Sequence, residues 1–299
     1  MRFGERAARV RLAGTESTAP VETEVTIVPG EGKHVRLNGA LAESAETLRA
    51  RIAALVFVPD RLAVVKGGPA VRRAYLDRML GRVFPAQASL PGEYGRALAQ
   101  RNEALRRARS GSSTAEAVAP WTERVAVLGS RLDEARAGLV SLLGPGFAET
   151  AGALGLDAAS LSYPPEPLAV SDLEARLPRD LERGTTSLGP HLRDVGVGGG
   201  ERELRAFGSQ GEQRTAVLAL VLAEAAVLAE LRGSPPLLLL DDVLSELDRG
   251  RRAALLRRLP AGGQAIVTAT SADAVPEGVE PALVVRVSRG KRASLAEAA

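Results

Sequence analysis

The sequence predicts an α/β protein: a mixed sheet with flanking helices, preceded by an antiparallel meander and carrying an inserted helical arm. Three observations point there. The first stretch alternates apolar and polar residues with a period of two. The middle third changes to helical spacing. The last third alternates short apolar runs with helical patterns, which implies a largely parallel sheet. A chain of 299 residues suits two domains, or one large domain with an insertion. The expected division is 1–66 for the first part of the α/β head, 67–183 for the arm and 184–299 for the second part of the head.

The elements follow in order. Residues 8–12 and 22–28 read as strands, Pro29-Gly30-Glu31-Gly32 as a turn and 34–37 as the returning strand, closed by the turn dipeptide Asn38-Gly39. Residues 48–58 should hold a short helix and then an apolar strand, Ala53 to Val58, which Pro59 stops. Helices are expected over 71–83, 94–109 and 116–143, the last broken by Gly144-Pro145-Gly146, with a further short one around 172–183. A strand through Val195-Gly196-Val197 then turns at Gly198-Gly199-Gly200 and returns through Leu204. Helix 215–231 is apolar almost all round and should be buried. Strand 237–240, helix 249–259, strand 265–269 and a last strand at 282–287 complete the pattern.

Composition removes several classes of function. Hydrophobic residues make up 45% and charged residues 25%, as in an ordinary folded protein. There is no Cys, hence no disulfide framework, thiolate metal site or Cys nucleophile, and two His are too few for a His-built zinc site. No apolar run, 235–240 included, is long enough to span a bilayer, and the first residues form no signal-peptide core, so the expectation is a cytoplasmic protein without a membrane partner. All but three of the 39 Lys and Arg residues are Arg. A biased coding composition explains this; phosphate-binding faces are the functional alternative.

The chemistry gathers in the last third. An apolar strand, 237–240, ends in Asp241-Asp242. In open α/β sheets ligands sit beyond the carboxyl ends of the strands. Paired acids there suit one group holding Mg²⁺ through water and another polarising an attacking water. Upstream, Gly208-Ser209-Gln210-Gly211-Glu212-Gln213-Arg214 opens a long helix, where backbone N–H groups and the Ser209 hydroxyl can meet an anion. Downstream lies Ser245-Glu246-Leu247-Asp248.

These segments together resemble the heads of ABC-type ATPases. The 208–214 loop is similar to their signature loop, Asp241-Asp242 to the Walker B pair with Asp242 where most members have Glu, and 245–248 to the D-loop. Thr268 falls where the switch His usually lies. A second block, Pro59 to Asp77 with Lys66-Gly67-Gly68-Pro69 and Arg72-Arg73, resembles the diagnostic motif of the RecF family of recombination mediators. Ser245 to Asp248 with Arg252 and Leu256 resembles its second motif. Gly189-Pro190-His191 with Asp194 fits a further element, with Leu192 where the family usually has Arg. The resemblance implies a DNA replication and repair protein that binds ATP and Mg²⁺ and forms an ATP-dependent homodimer. Such a protein recognises duplex DNA or single-strand/duplex junctions and helps load recombinase with RecO and RecR partners in recombinational and SOS repair. It further implies that Asp241 coordinates Mg²⁺ and Asp242 orients the attacking water. Ser209, Gln210, Gly211, Glu212, Ser245, Asp248 and Thr268 would serve the nucleotide, with Ser209 and Gly211 on the γ-phosphate held by a partner head.

A phosphate-cradling Walker A motif, G-x-x-x-x-G-K-[ST], is not in the sequence. Lys33 is followed by His34, Lys66 stands in the wrong order before Gly67-Gly68-Pro69, and Lys291 near the C-terminus lacks the loop. The expectation is a chain begun at an internal Met, inactive in hydrolysis alone. The alternative is a P-loop-less, non-hydrolysing DNA-binding or scaffold paralogue. A transporter ATPase shares the signature and Walker B, but the arm and the 59–77 block argue against it. For DNA, Arg96, Arg101, Arg106, Arg107 and Arg109 cluster along one arm helix, either as a phosphate-binding face or as a solvated one. Arg72 and Arg73 should instead brace the junction of head and arm.

Overall fold

The computed structural model describes residues 6–16, 19–42, 53–164, 166–245, 247–277, 279–287 and 294–296. The helix expected at the start of 48–58 falls on residues outside these. Strands β1 (Ala8–Glu16), β2 (Ala19–Val28), β3 (Gly32–Leu37) and β4 (Ala40–Leu41) form the antiparallel meander in sequence order. Its pleat puts Arg9, Arg11, Glu22, Glu24, His34 and Arg36 on one face, with Arg11 Nε 2.6 Å from Glu24 Oε2. Val10, Leu12 and Ile27 lie on the other face and are exposed.

β5 (Ala54–Phe57) leads through a 3₁₀ turn into α1 (Ala63–Lys66). The helical region follows: α2 (Pro69–Val83), α3 (Leu90–Arg109), α4 (Ala119–Ala153), α5 (Val170–Ala175) and α6 (Leu177–Arg183). The break expected at Gly144-Pro145-Gly146 is absent, and α4 runs through it. An interior Pro costs a helix about 3 kcal/mol. Here Phe147, Thr150 and Ala151, beyond the Pro, are buried and hold the helix in place. The single helix expected around 172–183 is two, since Pro178 lies in the first turn of the second.

β6 (Ala159–Ser162) is not among the elements that the sequence pattern predicts. It pairs antiparallel with β7 (Gly196–Gly199), which pairs with β8 (Arg202–Glu203). Gly198 and Gly199, which read as a turn, belong to the strand. A Cβ at Gly196 would stand 2.3 Å from Ser162 Oγ, and one at Gly198 2.6 Å from Ser160 Oγ. The glycines are therefore what lets β6 approach. After α7 (Leu204–Phe207), α8 (Gln210–Arg232) packs against β5 and α4 and is buried almost all round from Gln213 to Ala225, and β9 (Leu237–Leu240) follows it. α9 (Arg249–Arg257), β10 (Ala265–Val267), β11 (Val284–Arg286) and β12 (Ser294–Ala296) complete the chain, the last two pairing antiparallel. The parallel sheet has the order β10-β9-β5.

One apolar core runs from β5 through α2, α4 and α8 to β9. Buried charge ties the helical region to the segment that follows it. Arg101 on α3 is fully buried, bonded to Asp180 (2.8 Å), Thr186 (2.8 Å) and Thr122 (3.0 Å). This corrects its assignment to a DNA-facing stripe. Arg136 on α4 forks onto Asp77 at 2.8 and 2.9 Å and donates to the Pro190 carbonyl at 2.9 Å. Arg72 clasps Asp194, and Arg73 donates to the Arg193 carbonyl. Tyr163 and Arg193 both hold Asp133. His191 lies between Tyr94 Oη (2.7 Å from Nδ1) and the Thr186 carbonyl (3.2 Å from Nε2). A carbonyl only accepts, so Nε2 carries the proton and Nδ1 accepts from Tyr94.

Asp180→Ala leaves Arg101 charged, buried and without its counter-ion. The expected cost is about 3–5 kcal/mol, read as the shift in chemical unfolding. Burial, the largest cause, holds His191 below its ordinary value of 6.5. The unfolded chain therefore takes up that proton first as pH falls. The contribution is full above about pH 6.5 and declines as the pH drops from there toward the folded-state value. Urea unfolding above and below that pH should show the loss, and His191→Gln should remove this part of it.

Candidate functional site

β9 is the central strand of the parallel sheet, and both neighbours stay paired with it to its last rung. The Asp241 N–H donates to the Phe57 carbonyl at 2.9 Å, and the Thr268 N–H donates to the Leu240 carbonyl at 3.0 Å. The chain then turns sharply. Asp242 has φ of 49°, a left-handed conformation that Asp tolerates better than branched residues do. Its N–H donates to Thr268 Oγ1 at 2.9 Å, and the same hydroxyl donates to Asp241 Oδ1 at 2.6 Å. The Ser245 hydroxyl donates to Asp242 Oδ1. Val243, Leu244 and Leu247 are buried and anchor the turn from below. Asp241 stays exposed and Asp242 half-buried. Asp248 ends the segment as the N-cap of α9, accepting from the Arg251 N–H at 2.9 Å.

The signature-like loop is built at the N-terminus of α8. A Cβ at Gly208 would stand 2.6 Å from the Leu204 carbonyl oxygen, so only glycine lets α7 pass directly into the cap. Ser209 and Glu212 form a reciprocal capping box: Glu212 N–H to Ser209 Oγ at 3.2 Å and Ser209 N–H to Glu212 Oε2 at 2.7 Å. The bond from the Ser209 N–H draws the Glu212 carboxyl below its ordinary value. Because Ser209 Oγ accepts within the box, its own proton remains to donate outward. The Gln213 side chain donates to the Leu204 and Gly208 carbonyls at 2.9 and 3.2 Å and steadies the loop, while Ser209, Gln210 and Gly211 are exposed.

The structure thus brings Asp241, Asp242, Ser245 and Thr268 into one hydrogen-bonded set, and Ser209, Gln210, Gly211 and Glu212 into another. Among the described residues no hydrogen bond joins the two sets directly. Arg214, one turn into α8, links them by donating to the Asp242 carbonyl oxygen, with its guanidinium 5.6 Å from the Phe57 ring centre. In the sequence Arg214 stands within the loop motif without a role. Its position on a helix packed against β5, within reach of the Asp242 carbonyl, is the information that the sequence lacks.

On α3, Arg96, Arg106, Arg107 and Arg109 are exposed. Arg106 and Arg107 pair with Glu103 at 2.8 and 3.0 Å. Arg109 reaches the Glu182 and Arg183 carbonyls at the end of α6. On α6 and just before it, Arg176, Arg179 and Arg183 are exposed too. Their three- and four-residue spacing puts them on one helical face, a signal readable from sequence.

No family model matches the chain. It is 38% identical over 298 residues to the DNA replication and repair protein RecF of Myxococcus xanthus (strain DK1622), covering 93% of this chain and 77% of the relative. It is 32% identical over 306 residues to RecF of Heliobacterium modesticaldum, covering 97% and 82%. Among solved structures, the recombination mediator RecF with ATP, of the RecFOR pathway, aligns with a TM-score of 0.80 at 25% identity over 98% of this chain and 81% of that one. An Smc head bound to the C-terminal winged-helix domain of ScpA aligns with a TM-score of 0.54 at 14% identity, a likeness of fold. Together these place the chain in the ABC-ATPase head fold.

Ser209→Ala removes the cap of a long buried helix. The expected loss is about 1 kcal/mol, measured by thermal or urea unfolding of the full chain.

Proposed function

The chain belongs to the RecF family of DNA replication and repair proteins, and from that premise we propose that it binds DNA in a nucleotide-dependent pair of heads and assists recombinase loading during recombinational and SOS repair. The observation that carries the reading is the paired carboxylate, Asp241 and Asp242, delivered at the carboxyl end of the central parallel strand and linked through Arg214 to the capped helix that begins at Ser209. The RecFOR pathway named for its structural neighbours supports RecO- and RecR-type partners. Within the described residues no helix is long and apolar enough to cross a membrane.

The residues fit ATP with Mg²⁺. Among the described residues no cluster of three or more His, Cys, Asp or Glu could cage a metal. Mg²⁺ does not need one: it keeps several waters and is held by one or two carboxylates with substrate phosphates. Exposed Asp241 supplies such a carboxylate. When bound, Mg²⁺ would neutralise phosphate charge. Asp242 orients the attacking water. The Ser209 hydroxyl and the Gly211 backbone close on the γ-phosphate held by a partner head, where a helix N-terminus favours negative charge. Gln210, Glu212 and Ser245 shape the same surface, and Asp248 couples the heads. Residues 67–183 act as an arm continuous with the head through the shared core and the buried arginines.

One observation favours a second reading. The sequence carries no Walker A motif, so the residues present supply the signature and carboxylate halves of the machinery. A non-hydrolysing DNA-binding or scaffold protein would use the same surfaces without nucleotide dependence.

For DNA we assign the exposed arginines at the end of α3, with those of α6 beside them. The test is binding of the full chain to duplex and to a single-strand/duplex junction, with and without ATP and Mg²⁺, across a salt series. Replacing Arg106, Arg107 and Arg109 by Glu should lower the slope of log affinity against log salt by about 2–3, since each phosphate contact contributes about 0.9. An unchanged slope removes this surface from the DNA contact. Affinity that ignores ATP, with no hydrolysis abolished by Asp242→Asn, selects the second reading.

A further inference from the structure

We propose that Thr268 is a positioning residue that sets the Asp241 carboxylate for a divalent cation, rather than the group that meets the γ-phosphate; this rests on the ATP and Mg²⁺ reading above. Thr268 stands one residue beyond β10, and its backbone N–H is spent on the Leu240 carbonyl at 3.0 Å. That rung fixes where its Cβ lies. A β-branched side chain has few χ1 choices, so the hydroxyl is aimed by the sheet itself. It accepts the Asp242 N–H at 2.9 Å and donates to Asp241 Oδ1 at 2.6 Å.

A threonine hydroxyl has one proton. Given to Asp241, that proton is not available to a phosphate oxygen, and a lone pair of the hydroxyl would meet a phosphate oxygen as acceptor against acceptor. A phosphate contact would require breaking a short, charge-assisted bond. Holding Oδ1 leaves the rotation of the Asp241 carboxylate fixed, with Oδ2 as the oxygen to offer a cation or its water. The same hydroxyl, through the Asp242 N–H, sets the left-handed turn that places the second carboxylate. One side chain just beyond a neighbouring strand therefore orients the start of the carboxylate turn. Thr268→Val keeps the shape and loses both bonds; Thr268→Ser keeps both and loses only the methyl group. Thr268 is exposed, so neither change disturbs the core.

The test uses the full chain with Mn²⁺ and the non-hydrolysable nucleotide AMP-PNP. Mn²⁺ affinity is followed by electron paramagnetic resonance, and AMP-PNP affinity is measured separately in EDTA. Outer-sphere partners of metal ligands typically contribute about 10- to 100-fold in affinity. Thr268→Val should thus weaken Mn²⁺ by about tenfold or more, leave AMP-PNP binding in EDTA unchanged, and be rescued by Thr268→Ser. A Thr268→Val protein that holds Mn²⁺ like the wild type overturns the proposal. So does one that loses AMP-PNP affinity in EDTA, because the hydroxyl then serves phosphate. A wild-type chain that takes up no Mn²⁺ with AMP-PNP overturns the nucleotide reading and this inference with it, a result distinct from both others.

Discussion

Three of the buried arginines, Arg72, Arg101 and Arg136, lie in or beside the helical region, and much of the architecture follows from what they require. A guanidinium cannot shed its charge, so its burial is tolerated only where its donors find acceptors and a counter-charge. Each of the three reaches the same stretch of chain: Asp180 and Thr186 for Arg101, the Pro190 carbonyl for Arg136, Asp194 for Arg72. This is where the helical region hands back to the α/β region. The stretch is short of apolar residues, and it holds its place because buried charge on α2, α3 and α4 needs it. Two residues of the 59–77 motif, Arg72 and Asp77, are parts of this clasp.

The clasp leaves the site free to be built from backbone. β5 and β10 hold β9 to its final residue, so the carboxylate turn begins from a rigid rung. The buried Val243, Leu244 and Leu247 then prevent it from lifting away. α8 packs against β5 and α4, buried on nearly every side, and carries the signature-like cap at one end. The Arg214 contact to the Asp242 carbonyl makes the cap and the carboxylates neighbours in one mechanical unit, although no hydrogen bond among the described residues joins their side chains. A displacement of α8 would be felt at Asp242 through one bond.

Much of this is legible in sequence because it follows local rules. The all-round apolar pattern of 215–231 marks a buried helix, the Leu run before Asp241-Asp242 a buried strand, and Ser209 with Glu212 a helix start. Other features are not legible. Arg101 shares one Arg-rich helix with Arg96 and Arg106; its spacing from Tyr94, Ala97 and Leu105 puts it on their buried face, but no local residue supplies the counter-charge that an Arg needs there. Only Asp180, 79 positions away, decides that it is inside. Pro145 reads as a breaker by local rules, and burial of Phe147 and Ala151 overrides them. β6 is hidden because its partner is a glycine run that by itself reads as a turn.

Sequence alone therefore determined the α/β class, the order of most elements and the residues with chemistry to offer, because these depend on periodicity, capping and spacing within a few neighbours; the family resemblance rested on whole motifs, such as 59–77, matched residue by residue. Tertiary structure decided which arginines are structural, which oxygen the Thr268 proton goes to, and that Arg214 joins the two halves of the site. Those are contacts between residues distant in the chain. Their energies come from burial and from the pairing of donors with acceptors, which no local pattern encodes.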